Sequence, residues 1–93
     1  MARALAACPT IENFTELDLC FNDITDEGAL ALADSPYTNS ITSLSLSFNR
    51  ITDEGALAFL NTQAWPSLRH ISLSNDHVSN EVRLQVERAI NNR

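Results

Sequence analysis

Residues 17–30 read LDLCFNDITDEGAL, and residues 44–57 read LSLSFNRITDEGAL. The second stretch is the first displaced by 27 positions, so that Leu17 falls on Leu44, Asn22 on Asn49 and Gly28 on Gly55. The same step leads on to ISLSNDHVSNEVRL at 71–84. There Ile71 and Leu73 hold the leucine places, Asp76 the asparagine place and Val78 the isoleucine place. Backwards, ALALADSP at 29–36 lands on ARALAACP at 2–9. One period runs through the whole chain, and self-similarity of this length marks stacked units that share a core.

Each copy has two rhythms. The first half spaces apolar residues as Phe14, Leu17 and Leu19, then Ile41, Leu44 and Leu46, then Leu68, Ile71 and Leu73. The last two of each set alternate with polar residues, the period of a strand with one buried face. The second half, ITDEGALALA, is rich in Ala and Leu and favours helix. Thr25 or Asp26, and Thr52 or Asp53, stand where each helix would be capped, with Glu27 and Glu54 following in its first turn. Pro36 and Pro66 lie beyond the helix ends. The expected fold is α/β: a curved, right-handed solenoid with parallel strands on its concave side and helices on its convex side. It divides into a partial repeat over 1–13, repeats starting near 14, 41 and 68, and a C-terminal capping helix over about 79–91, all one domain.

Composition narrows the function classes. Ninety-three residues with 12 acidic and 6 basic side chains carry a formal charge of −6, which repels a phosphate backbone and argues against nucleic acid as partner. No apolar run reaches the roughly 18 residues of a membrane span. Cys8 and Cys20 are too few for a disulfide scaffold and read as reduced thiols of a reducing compartment. The stretch LAAC at 5–8 resembles a lipobox, but no apolar segment precedes it, and the period explains the same letters.

The stretches FTELDLCFNDI, ITSLSLSFNRI and LRHISLSNDHV resemble the leucine-rich repeat family, whose pattern is L-x-x-L-x-L-x-x-N-x-I. The helical half and the 27-residue period are similar to the ribonuclease-inhibitor-like subclass. Gly28-Ala29-Leu30-Ala31 and Gly55-Ala56-Leu57-Ala58 spell the GALA signature of leucine-rich repeat effectors from plant-pathogenic bacteria. Those effectors carry an F-box ahead of their repeats, and no segment of these 93 residues resembles one. The resemblance implies a non-enzymatic module that binds a protein partner on its concave face, in the cytoplasm or, for an effector, in a host cytosol. It also implies that Asn22, Asn49 and Asp76 form a ladder of bonds to the backbone of adjacent turns. Asp76, which cannot donate, would be the looser rung.

Other residues are read structurally. Gly28 and Gly55 let the helix approach the sheet, and Val82 in the same place would hold the last helix further out. Val78, Val82, Val86 and Ala89 or Ile90 make one apolar helix face. Met1 falls on the glycine place, so the chain opens inside a unit. The expectation is either a piece of a longer array or an uncapped N-terminal edge that self-associates or is covered by another chain. The pairs Asp26–Glu27 and Asp53–Glu54 lack the alternating ligands of a calcium loop. His70 and His77 lack metal spacing, and Cys20 lacks a sequence neighbour that would activate it. No catalytic residues, metal or cofactor are expected.

Alternation places Glu16, Asp18 and Cys20, then Ser43, Ser45 and Ser47, then His70, Ser72 and Ser74 on the exposed face of the strands. These are the expected partner-binding residues, with the loop of Trp65 beside them. Phe21 and Phe48 follow the first two rows, and parity leaves open whether they pack inward or point out. The alternatives to a binding module are an assembly piece that stacks on another chain, or the substrate-recognition arm of a bacterial effector or ubiquitin ligase.

Overall fold

A computed structural model of the chain describes residues 2–62 and 64–93. Met1, assigned above to the glycine place, lies outside the described residues. The order of elements is α1 (Ala2–Ala6), a 3₁₀ turn (Pro9–Asn13), β1 (Glu16–Asp18), α2 (Asp26–Ala33), β2 (Ser43–Ser45), α3 (Asp53–Asn61), β3 (His70–Ser72) and α4 (Asn80–Asn91). The strands form one parallel sheet in the order β1-β2-β3. Leu17 pairs with Leu44, and Leu44 with Ile71, so the register is the sequence period. Neighbouring helices pack in chain order, α1 on α2, α2 on α3 and α3 on α4. The result is an α/β repeat fold in which each copy adds a strand to the sheet and a helix beside it.

Burial follows the period. Leu19, Leu46 and Leu73 are inside, as are Ile24, Ile51 and Val78 one turn later. Each such side chain contributes about 1.5–3 kcal/mol relative to exposure. Trp65 is 1% exposed; its indole N–H donates to the Leu32 carbonyl at 2.9 Å, and its ring meets Phe59 edge-on at 5.8 Å. It is a core residue.

The two sides of the sheet end differently. Beyond β3 lies α4, with Val86 and Ile90 buried. Glu87 accepts the Leu73 amide at 3.1 Å and Asn91 the Ile71 amide at 3.4 Å, so side chains of α4 occupy the outer edge of the sheet. Beyond β1 no described element pairs with the strand. Phe14 is accordingly 48% exposed and Leu17 half-buried, whereas their counterparts Ile41 and Leu44 are buried between strands. Phe14 is therefore a weaker core anchor than its place in the pattern implies.

The doubled TDE is also used differently from the sequence expectation. Thr25 and Thr52 occupy the cap positions of α2 and α3 without a side-chain bond to their own helix. Asp26 reaches across to the next copy, where its carboxylate accepts the Thr52 amide at 2.8 Å, the Gly55 amide at 3.2 Å and the Thr52 hydroxyl. Asp53 likewise accepts the Ser79 amide at 2.7 Å. Each aspartate caps the helix that follows its own. Gly55 permits this: a Cβ there would collide with Asp26 Oδ1 and lie 2.9 Å from Ile51 Cγ2. Its close approach is to the neighbouring aspartate, not to the sheet. Val82 carries that Cβ, and its amide is capped at 3.2 Å by Ser79 of its own helix.

Candidate functional site

The strand rows end in tight turns held by an asparagine ladder. Asn49 Oδ1 accepts the amides of Asn22 at 2.8 Å and Ile24 at 3.0 Å, and its Nδ2 donates to the carbonyls of Leu19, Leu46 and Ser47. Such bonds satisfy backbone groups that a bend would orphan. The next rung is Asn75, not Asp76. Asn75 Oδ1 accepts the Asn49 amide at 2.6 Å, and its Nδ2 donates to Leu46 O at 3.0 Å. Asp76 is exposed. The reason is chemical and conformational: only an amide both donates and accepts, and the third turn lacks the left-handed residue that precedes the asparagine in the first two.

Those left-handed residues are Phe21 and Phe48, each at φ 60°. A side chain in this conformation costs about 1–2 kcal/mol, and an aromatic one is an outlier. Both rings point outward, 76% and 58% exposed, and stack at a centroid distance of 4.8 Å with 10° between planes. The separation equals that of adjacent strands, so the rings continue the ladder of the sheet. The question left open by parity is answered: Phe21 and Phe48 are surface groups. Parity could not decide this, because both residues follow the strand and sit in left-handed backbone where alternation no longer holds. The one available signal was that both stand directly before the ladder asparagine.

The expected strand-face residues are brought together with two qualifications. Glu16, Asp18, His70, Ser72 and Ser74 are exposed, and Ser43, Ser45 and Cys20 are partly exposed. Cys20 Sγ and Ser45 Oγ share a hydrogen bond at 2.9 Å. Ser47 is 6% exposed, its hydroxyl accepting the Ser74 amide at 3.1 Å; it stabilises the turn and is withdrawn from the surface row. Asp18 Oδ1 accepts the Cys20 amide at 3.0 Å, and this bond, with one from the Cys20 side chain, holds the Asp18 carboxyl below the usual carboxylate range. Elsewhere, the Thr10 hydroxyl and backbone amide lower the pKa of the Cys8 thiol.

Among the described residues, no three His, Cys, Asp or Glu side chains converge as a metal site. None of the described helices is long and apolar enough to cross a membrane. A shallow cavity of about 370 Å³ lies on the helix side, lined by Ala6, Ala7, Ala31, Asp34, Ser35, Pro36 and Tyr37.

No curated protein and no solved structure matches the chain. A sequence model of the leucine-rich repeat matches residues 10–33 and 38–60, together just over half of the chain. Both matched segments run from the turn before a strand through the following helix. Leucine-rich repeats are generally non-enzymatic modules that bind protein partners. By its matched sequence, its period and its parallel sheet, the chain belongs to the leucine-rich repeat family.

Proposed function

We propose that the chain binds a protein partner on the exposed face of its strands, through Glu16, Asp18, Cys20, Ser43, Ser45, His70, Ser72 and Ser74. The observation that carries this reading is the exposure of three parallel rows of polar side chains, flanked by two aromatic rings that no core packing requires. The in-order stacking of strands and helices supports a solenoid whose concave side is this face. The helix in each 27-residue copy supports the ribonuclease-inhibitor-like subclass with GALA-type repeats. The proposed setting is a reducing compartment such as the cytoplasm, the reading that two cysteines in 93 residues suggest.

The test is position-specific cross-linking. A photoreactive phenylalanine analogue at Ser72 should capture a partner from an extract of the source cells, and the same analogue at Glu81 on α4 should not. Changing Asp18, Ser45 and Ser72 together to Arg should abolish capture. Equal capture from both positions, or capture that survives the triple change, sinks the strand-face reading.

A second reading has its own observation. The outer edge of β1 is unpaired among the described residues, and Phe14 is half exposed beside it, so a strand of another chain can add there. Light scattering across a concentration series decides it: a dimer that Phe14→Asp dissociates supports edge stacking, and a monomer at every concentration refutes it.

A further inference from the structure

We infer that the Phe21–Phe48 stack is an anchor for a guanidinium group, so that the partner presents an arginine whose plane lies on the outer face of Phe21 and whose charge is met by Asp18 and Asp23. This deepens the strand-face reading and rests on it. Both rings are held in left-handed backbone while remaining 76% and 58% exposed, so the fold bears strain for aromatic surface that contributes little to its core. Strain of this kind clusters where a ligand is held.

The stack has two unlike ends. The turn after Phe48 belongs to the third copy, where Asn75 takes the aromatic place. Phe21 ends the stack on the β1 side and is the more exposed ring. The charge around the two rings differs in the same sense. Glu16 and Asp18 lie on the exposed face of β1, and Asp23 is exposed two residues after Phe21. Two residues after Phe48 stands Arg50, also exposed.

An aromatic face with negative groups beside it attracts a cation. A guanidinium suits it better than an ammonium, because it is planar, stacks on a ring and bonds carboxylates with a fixed fork. The Asp18 carboxylate is held in place by the Cys20 amide at 3.0 Å. A phosphate-bearing ligand is disfavoured at a chain of charge −6.

The experiment is an NMR titration of the full chain, labelled in its amides and phenylalanine rings, at low ionic strength. The probes are the capped peptides GGRGRGG, GGKGKGG and GGEGEGG. The arginine peptide should shift the Phe21 ring and the Asp18 and Asp23 amides saturably, about threefold more tightly than the lysine peptide; the glutamate peptide should shift nothing. Phe21→Asn removes the ring with a residue at ease in left-handed backbone, and should weaken the arginine peptide about threefold while leaving the remaining spectrum folded. The paired change of Asp18 and Asp23 to Asn should weaken it similarly with both rings in place.

The inference is overturned if the peptide shifts map to another acidic surface, if they persist in Phe21→Asn, or if lysine binds as tightly as arginine. It is overturned equally if the ring signals move on concentrating the chain without peptide, which would make the stack a contact between copies. Cross-linking from Ser72 that succeeds while the titration fails removes the anchor and leaves the partner reading standing; the reverse outcome removes the strand-face reading alone.

Discussion

Replacing Gly55 by Ala should destabilise the fold, although alanine is the better helix former. In α3, Gly55 is buried, and its added Cβ would collide with Asp26 Oδ1 while lying 2.9 Å from Ile51 Cγ2 and 3.2 Å from Ala29 Cβ. Ile51 and Ala29 are fully buried and cannot retreat. The aspartate must move, and it then loses the Gly55 and Thr52 amides that it accepts at 3.2 and 2.8 Å. A charged acceptor contributes about 1.5–3 kcal/mol per bond, and the lower end applies to a half-buried carboxylate, so two bonds come to about 3 kcal/mol. The gain from Gly to Ala in a helix interior is about 1 kcal/mol. The net loss is about 2 kcal/mol, or a fall of about 10 °C in Tm for a domain of this size. The assay is urea unfolding of a double-mutant cycle with Asp26→Ala. In that background the same substitution should cost at least about 2 kcal/mol less, because the bonds are already gone. Were Gly55→Ala to stabilise the wild type, or to cost the same in both backgrounds, cross-copy capping would be refuted.

The ladder makes a ranked prediction. Asn49→Ala should cost about 3 kcal/mol, since five bonds meet at that side chain. Asn75→Ala should cost about 1–2 kcal/mol and Asp76→Ala should be near neutral; urea midpoints that place Asp76 above Asn75 would reverse the assignment of the third rung. Trp65→Phe should lose about 1 kcal/mol for its 2.9 Å bond to the Leu32 carbonyl, which keeps the Ser35 amide at 3.1 Å, read by thermal melting in circular dichroism. For Asp18 the folded carboxyl titrates below its unfolded value, so its contribution is present above the unfolded pKa and is lost as pH falls through the folded one. A carboxyl NMR titration should give a midpoint below that of an Asp18-centred peptide; equal midpoints would mean that the Cys20 bonds do not persist in solution. The Cys8 thiol should react more slowly with iodoacetamide near neutral pH in Thr10→Val, because the hydroxyl that favours its thiolate is gone.

The scaffold was legible wherever chemistry repeats with the period. Leu17, Leu44 and Ile71 pair in the register that the 27-residue step implies, because a one-residue slip would turn every apolar side chain to the wrong face. What escaped the sequence was contact between copies. The pattern assigns Asp26 to its own helix, but its carboxylate serves the next one. Letter alignment assigns the third rung to Asp76, but the side chain that both donates and accepts stands one place earlier, at Asn75. Alternation counts Ser47 as outward, but the turn draws its hydroxyl onto the Ser74 amide. In each case a side chain is used by a backbone 26 to 29 residues away, which periodicity within one copy does not encode.

That same division separates what the fold requires from what the surface offers. Asn49, Asp26 and Gly55 are fixed by bonds or clearance that the stacking of one copy on the next demands. Phe21 and Phe48 sit at the same place in the period and yet satisfy none of those demands: no amide depends on their rings, and most of their surface faces solvent. An asparagine or glycine at either place would hold the left-handed turn with less strain. The stack of rings gives back about 0.5–1.5 kcal/mol, no more than the strain of one of its two residues. Stability alone therefore does not account for an aromatic residue at both turns. The differences between the copies point the same way. Asp18 faces Ser45 across the register, and Asp23 takes the place that Arg50 takes. The acidic character is thus concentrated at the Phe21 end of an otherwise regular surface, which is where a ligand distinguishing one copy from the next has something to recognise.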